Sequence, residues 1–217
     1  MTGVQTCALP ISRGARLGLK IAGVVVALGL LGTAGWLWLR AEETRGQAAL
    51  AGAAEAVQQG DGPLATGEGR QKAIGLLQAV LTQHGRSAAA AQAAYQLGNL
   101  QYQAGDYAAA RAAYEIALAK GAGGSLRTLS ASGVGYTWEA QKNYASAVTA
   151  YDAAARGLGP KQFFFEEALL DLARAQALVG KPAEARATYE RVLKEAPETR
   201  RAEDIRGRIA ALDPAAK

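Results

Sequence analysis

The sequence predicts an all-α fold built from repeated helix–turn–helix units, and three observations carry that prediction. The stretch AQAAYQLGNLQYQAGDYAAARAAYEIALAKGA, from Ala91 to Ala122, reads as two short amphipathic helices. Tyr95, Leu97-Gly98 and Tyr102 recur at helical spacing in the first, and Ala110, Tyr114, Ala117 and Leu118 share one face of the second. The pattern then recurs. A shift of 37 residues places Gly135, Asn143-Tyr144, Ala147, Tyr151 and Ala154 over Gly98, Asp106-Tyr107, Ala110, Tyr114 and Ala117. A further shift of 38 adds Ala173, Gly180-Lys181, Ala185, Tyr189 and Val192-Leu193. Third, an apolar run from Leu17 to Leu39 precedes the repeats and is long enough to cross a membrane.

Each element has a local reason. Gly105 supplies the backbone freedom that ends one helix, and Asp106 can accept hydrogen bonds from the free N–H groups opening the next. Small residues at Gly98, Ala110 and Ala117 allow close approach of two helices, with Tyr114 filling the space between neighbouring pairs. These residues resemble the tetratricopeptide repeat, a helix–turn–helix unit of about 34 residues. The resemblance implies a right-handed solenoid, and Pro197 stands where the family pattern expects its terminal proline. A weaker copy lies upstream: Ala73, Leu77 and Val80-Leu81, preceded by a helix near residues 47–59. The expected repeat domain is 41–212, with units at about 47–84, 91–122, 128–159 and 166–197 and a capping helix at 199–212. Gly60-Asp61-Gly62-Pro63 and Gly67-Glu68-Gly69 bracket a loop inside the first, degenerate unit. In the cap, Ala202, Ile205, Ile209 and Leu212 keep helical spacing among mixed charges.

Residues 1–12, MTGVQTCALPIS, resemble the translation of a widely used short-read sequencing adapter, which would leave the native N-terminus unknown and Cys7 uninformative. Residues 13–16 read as a basic cytoplasmic tail, followed by a transmembrane helix over 17–39. Trp36 and Trp38 sit at the far end of that run, where indoles prefer the headgroup level, and Arg40 closes it. Arg13, Arg16 and Lys20 precede the span without an acid, whereas Arg40 and Arg45 follow it interleaved with Glu42 and Glu43. The basic excess leans the N-terminus inward and the repeats outward. A cleaved signal peptide is the competing reading, with Gly32-Thr33-Ala34 small enough to be cut, although the run is long and lacks an A-x-A motif.

The net charge of +5 does not describe a nucleic-acid surface. From Ala41 onward there are 20 Lys or Arg against 19 Asp or Glu, and a phosphate-neutralising stripe needs clustered basic side chains. With one histidine, His84 at a helix end, and Cys7 set aside with the adapter-like segment, Cys–His and His–metal constellations are not expected. No catalytic, cofactor or metal site is expected, and the chain does not read as an enzyme.

In the resembled family, partner segments lie along the first helices of successive repeats. Carried over by register, the candidate partner-binding residues are Gln92, Tyr95, Asn99, Tyr102, Tyr136, Glu139 and Arg174. Aromatic and amide side chains of this kind suit an extended peptide. The family's carboxylate clamp is not matched, because Tyr95 and Gly133 stand where it wants lysine and asparagine. Tyr114, Tyr151 and Tyr189 read as core between helices. Phe163-Phe164-Phe165 cannot all face one core, since neighbours lie about 100° apart on a helix, so Phe164 joins the candidates.

The layout of a short tail, one span and a repeat domain resembles the ancillary SecYEG translocon subunit family. That resemblance implies a bacterial inner-membrane protein with periplasmic repeats that bind secreted chains, chaperones or the translocon. An envelope-assembly scaffold for cell division, pili or outer-membrane insertion, and a structural protein that oligomerises through its span, fit the same layout.

Overall fold

A computed structural model describes residues 13–60 and 67–213, and among these every regular element is a helix. The adapter-like segment, and most of the loop expected after Gly60, lie outside the described residues. The chain divides into two compact units, Met1–Glu42 and Glu43–Lys217.

Helix α1 runs uninterrupted from Arg13 to Gly60, which corrects the expectation of separate helices over 17–39 and 47–59. Arg40 ends the apolar composition but not the helix. The residues that follow are rich in Ala, Glu, Gln and Arg, all strong helix formers, and no proline interrupts them. Within the first unit the apolar side chains from Ile21 to Leu39 are exposed on the polypeptide. The helix over Lys20–Gln58 contains a stretch long and apolar enough, by length and composition alone, to cross a membrane. Arg40 stacks on Trp36, 4.4 Å from the ring centroid.

In the second unit, α1 becomes the first helix of the array. Leu50, Ala53 and Ala56 pack with Ala73, Leu77 and Val80 of α2 (Gly67–Gln83) and with Ala89, Ala93, Leu97 and Leu100 of α3 (Ala89–Gln103). Helix α2 begins at Gly67, so Gly67-Glu68-Gly69 is its first turn and not the end of a loop; Glu68 there complements the helix dipole. Ala88, at the start of α3, has no capping side chain. Glu43 supplies one from α1, its Oε2 accepting from Ala88 N–H at 2.9 Å.

Three repeats of one turn chemistry follow: α3 with α4 (Tyr107–Ala119), α5 (Gly124–Ala140) with α6 (Tyr144–Ala155), and α7 (Phe165–Leu178) with α8 (Pro182–Glu195). Each first helix ends on a residue in the left-handed region: Gly105 (φ 79°), Lys142 (φ 59°) and Gly180 (φ 83°). The next N–H reaches back to close the helix end, Asp106 to Gln101 O, Asn143 to Trp138 O and Lys181 to Gln176 O, at 2.9–3.0 Å. Asp106 and Asn143 then cap the second helices by accepting from Ala109 N–H (3.0 Å) and Ser146 N–H (3.1 Å). Lys181 cannot cap, and Pro182 at the first helical position removes one of the N–H groups that would need it.

Between the helices the core follows the predicted register. Tyr114, Tyr151 and Tyr189 are buried. A Cβ on Gly98 would come within 2.6 Å of the Tyr114 ring, and one on Gly135 within 2.4 Å of the Tyr151 ring, so these glycines are required by close approach. Helix α9 (Ala202–Ala211) covers the last repeat with the fully buried Ile205.

Candidate functional site

The first helices of successive repeats, α3, α5 and α7, together with Tyr114 of α4, enclose a cavity of about 130 Å³. Tyr95 and Asn99 come from α3, Thr128, Leu129, Ser132, Gly133 and Tyr136 from α5, and Glu167 and Ala168 from α7, with Phe164 just before it. Gly133 cannot be larger, because its Cβ would meet the Tyr114 ring at 2.7 Å. Tyr95 and Tyr114 lie with ring centroids 5.9 Å apart, and the Tyr114 hydroxyl donates to Asn99 Oδ1 at 2.8 Å. Burial pushes the Tyr114 phenol well above its usual range, so it stays a neutral donor.

Next to this neutral cavity lies an ionic network. Tyr136 donates to Asp171 Oδ2 at 2.6 Å, and Arg174 Nη1 donates to Asp171 Oδ1 at 2.7 Å. Arg174 Nε and Nη2 each donate to Glu139 at 2.9 Å, which is the bidentate fork of a guanidinium on a carboxylate. Glu139 Oε2 also accepts from Tyr151 at 2.8 Å. The hydrogen bonds to Glu139 hold the Arg174 guanidinium firmly protonated against the opposing effect of burial. Burial works to raise the Glu139 carboxyl, but Arg174 and Tyr151 together hold it below the ordinary value. At Asp171, only 1% exposed, burial wins and the carboxyl is raised. Burial, then the neighbouring carboxylates Asp171 and Glu139, push the Tyr136 and Tyr151 phenols well above range.

A second cleft, of about 410 Å³, continues from Glu167 toward α9 and is lined by Arg174, Arg200, Arg201 and Arg208 with Asp171 and Asp204. Arg201 Nη1 donates to Glu167 Oε2 at 2.6 Å and its Nε lies 3.6 Å from Glu166, while Arg208 pairs with Asp204.

Residues 64–125, 95–162 and 167–199 match the family described as Tetratricopeptide repeat, which covers the helix pairs just described. The chain belongs to the tetratricopeptide-repeat family. No curated protein matches it. Among solved structures, a variant form of the nearly identical TPR-like repeats of a Podosopora anserina kinesin light chain is similar in fold. That structure has a TM-score of 0.59 and 18% identity over 78% of this chain and 85% of that one. Pseudomonas aeruginosa pilF is similar at a TM-score of 0.57 and 18% identity, over 79% of this chain and 69% of that one. A second structure of the Podosopora anserina repeats gives 0.53 and 15%, over 81% and 98%.

Tetratricopeptide-repeat chains act as protein–protein interaction scaffolds and are in general non-catalytic. Among the described residues, no group of His, Cys, Asp and Glu could hold a metal ion. Of the residues expected at the partner-binding surface, Tyr95, Asn99, Tyr136 and Phe164 share the cavity. Gln92 is exposed on α3 outside it, and Tyr102 packs on Tyr107 with centroids 5.3 Å apart. Glu139 and Arg174 are bound to each other across two repeats. Phe163 is 89% exposed, Phe164 half-buried and Phe165 buried; only Phe165 lies within α7, so the turn that leads into the helix, and not the expected 100° step along it, divides the three. Sequence reasoning missed Asp171 and Glu167's pairing with Arg201. The signal for Asp171 was a lone acid inside the apolar run ALLDLARAQAL with an arginine three residues on.

Proposed function

We propose that this chain is a membrane-tethered protein-binding scaffold whose first repeat helices hold an extended segment of a partner protein. The observation that carries the reading is the cavity that Tyr95, Asn99, Tyr136 and Phe164 line together. It is sized for one side chain, and its walls combine aromatic surface with amide and hydroxyl groups, a composition suited to recognising peptide. The exposed apolar face from Ile21 to Leu39 supports the tether, because so long a stretch of Val, Leu and Trp side chains is costly in water. Basic residues ahead of that stretch support a cytoplasmic N-terminus and periplasmic repeats in a bacterial inner membrane. Secreted chains, periplasmic chaperones and the translocon are the partners this arrangement would serve, and the scaffold itself is not an enzyme.

Sidedness is the test. In a Cys7→Ser chain, Lys161→Cys on the exposed turn before α7 is the single thiol. In cells with a permeabilised outer membrane, a membrane-impermeant maleimide labels that thiol before lysis if the repeats are periplasmic. Labelling only after the inner membrane is broken would overturn the periplasmic reading and leave a cytoplasmic scaffold.

A further inference from the structure

We propose that the aromatic cavity between the first helices takes a cationic side chain, a lysine or arginine presented by an extended peptide. The inference rests on the protein-binding reading above and adds the chemistry of the side chain it selects.

Four aromatic rings line the cavity, Tyr95, Tyr114, Tyr136 and Phe164, and among the described residues its one ionised lining group is the carboxylate of Glu167. Aromatic faces carry negative potential, and a cation set among several of them and a carboxylate is attracted by both. The Tyr136 ring is enriched further. Its hydroxyl donates at 2.6 Å to the buried Asp171 carboxylate, which pushes electron density back onto the phenol. Tyr114 likewise donates its proton, to Asn99 Oδ1, so neither hydroxyl proton is left to repel a cation. Among the described residues Glu167 accepts at Oε2 from Arg201, and its Oε1 lies at the rim.

The neighbouring cations do not cancel this bias. Arg174 is held by Glu139 and Asp171 together, Arg201 faces both Glu166 and Glu167, and Arg208 pairs with Asp204; with Arg200, the arginines of the adjoining cleft are offset by these carboxylates. An anionic side chain would meet the aromatic lining and Glu167. A neutral aliphatic one would fit the volume but would use neither the carboxylate nor the enriched ring.

The experiment measures fluorescence anisotropy of labelled peptides Ac-Gly-Ser-Ala-X-Ala-Ser-Gly-amide on the full chain in micelles of an uncharged detergent. X is arginine, its neutral isostere citrulline, or leucine. The arginine peptide is expected to bind about ten-fold more tightly than the citrulline peptide. Glu167→Gln should shrink that ratio to about two-fold or less without weakening the citrulline peptide, and Arg201→Ala, which releases the carboxylate, should widen it. Far-UV circular dichroism confirms that both variants are folded, as expected for exposed positions. Leucine binding as tightly as arginine, with no effect of Glu167→Gln, would overturn the cationic assignment and leave the peptide groove standing. Absence of binding by all three peptides would overturn the groove as well.

Discussion

Tyr114 and Tyr151 occupy the same place in consecutive repeats, each packed on a glycine of the preceding helix, yet they finish their hydrogen bonding differently. Tyr114 donates to the neutral amide of Asn99. Tyr151 donates to Glu139, a carboxylate that is itself clasped by Arg174 from the next repeat. The apolar part of the position is a constant of the fold. The polar tip is free to vary, because the acceptor comes from different places on the first helix: Asn99 follows Gly98 directly, whereas Glu139 lies one turn beyond Gly135. The first junction is therefore neutral and leaves an open cavity beside it, whereas the second is an ionic latch that ties the array together.

The largest expected effect comes from breaking the latch. Arg174→Ala strands the buried Asp171 and the half-buried Glu139 without their cation, and should cost roughly 2–4 kcal/mol. Asn99→Ala, the matching cut at the neutral junction, leaves one tyrosine hydroxyl without its partner and should cost roughly 1–2 kcal/mol. Denaturant midpoints of the two variants measure the gap, and equal losses would mean that the ionic junction is no more demanding than the neutral one.

The glycine contacts should not share that asymmetry. Gly98→Ala and Gly135→Ala each drive a methyl group into a tyrosine ring, and each should cost about 1–3 kcal/mol. Ala110→Leu, at a fully buried position of α4, belongs to the same range. Thermal melts decide whether the two glycine variants match; a several-fold difference would show that the polar tip also sets how far the ring can retreat.

Acidification sharpens the comparison from another side. Glu139's carboxyl is depressed in the folded chain, so its contribution is present above the ordinary carboxylate range and lost as pH falls through the folded value. Asp171's is raised, so the folded state takes up its proton more readily and acid favours folding at that group. Asp171→Asn should therefore lose more stability between pH 7 and pH 4 than Glu139→Gln does. Urea titrations at the two pH values test the order, and the reverse order would contradict the assigned directions.

The smallest effect is at the turn. Lys142 holds the left-handed conformation that Gly105 and Gly180 supply elsewhere. Lys142→Gly should raise the stability by about 0.5–1 kcal/mol, the strain of a side chain there less the entropy glycine adds to the unfolded chain. No change in the midpoint would mean that the neighbouring contacts already absorb the strain.

Much of the fold was legible because the repeat writes the same physical demand several times. Tyr114, Tyr151 and Tyr189 recur with a small residue before each and a helix-ending turn between, so the core, the turns and the cap at Ile205 could be placed from spacing alone. The start of the array was less legible. Arg40 marks a change in polarity, but helix continuity depends on backbone propensity, and nothing between Arg40 and Gly60 interrupts α1. Four of the residues named from the sequence, Tyr95, Asn99, Tyr136 and Phe164, line the one cavity. Register placed Tyr95, Asn99 and Tyr136 on neighbouring first helices, and three adjacent phenylalanines drew attention to Phe164. Register could not say that Glu139 and Arg174 would pair with each other, since they lie 35 residues apart.

What the sequence by itself determined is the period: the repeat spacing, the turn residues, the buried tyrosines and the apolar stretch ahead of them. All of these are local or repeated demands of backbone conformation and hydrophobic burial. What only the tertiary structure decided is which polar groups meet. Glu139 and Arg174 become an inter-repeat latch and Glu167 a rim carboxylate because stacking brings together side chains from different repeats. Whether such groups pair or remain open depends on ångström-scale distances across the stack that no single period encodes.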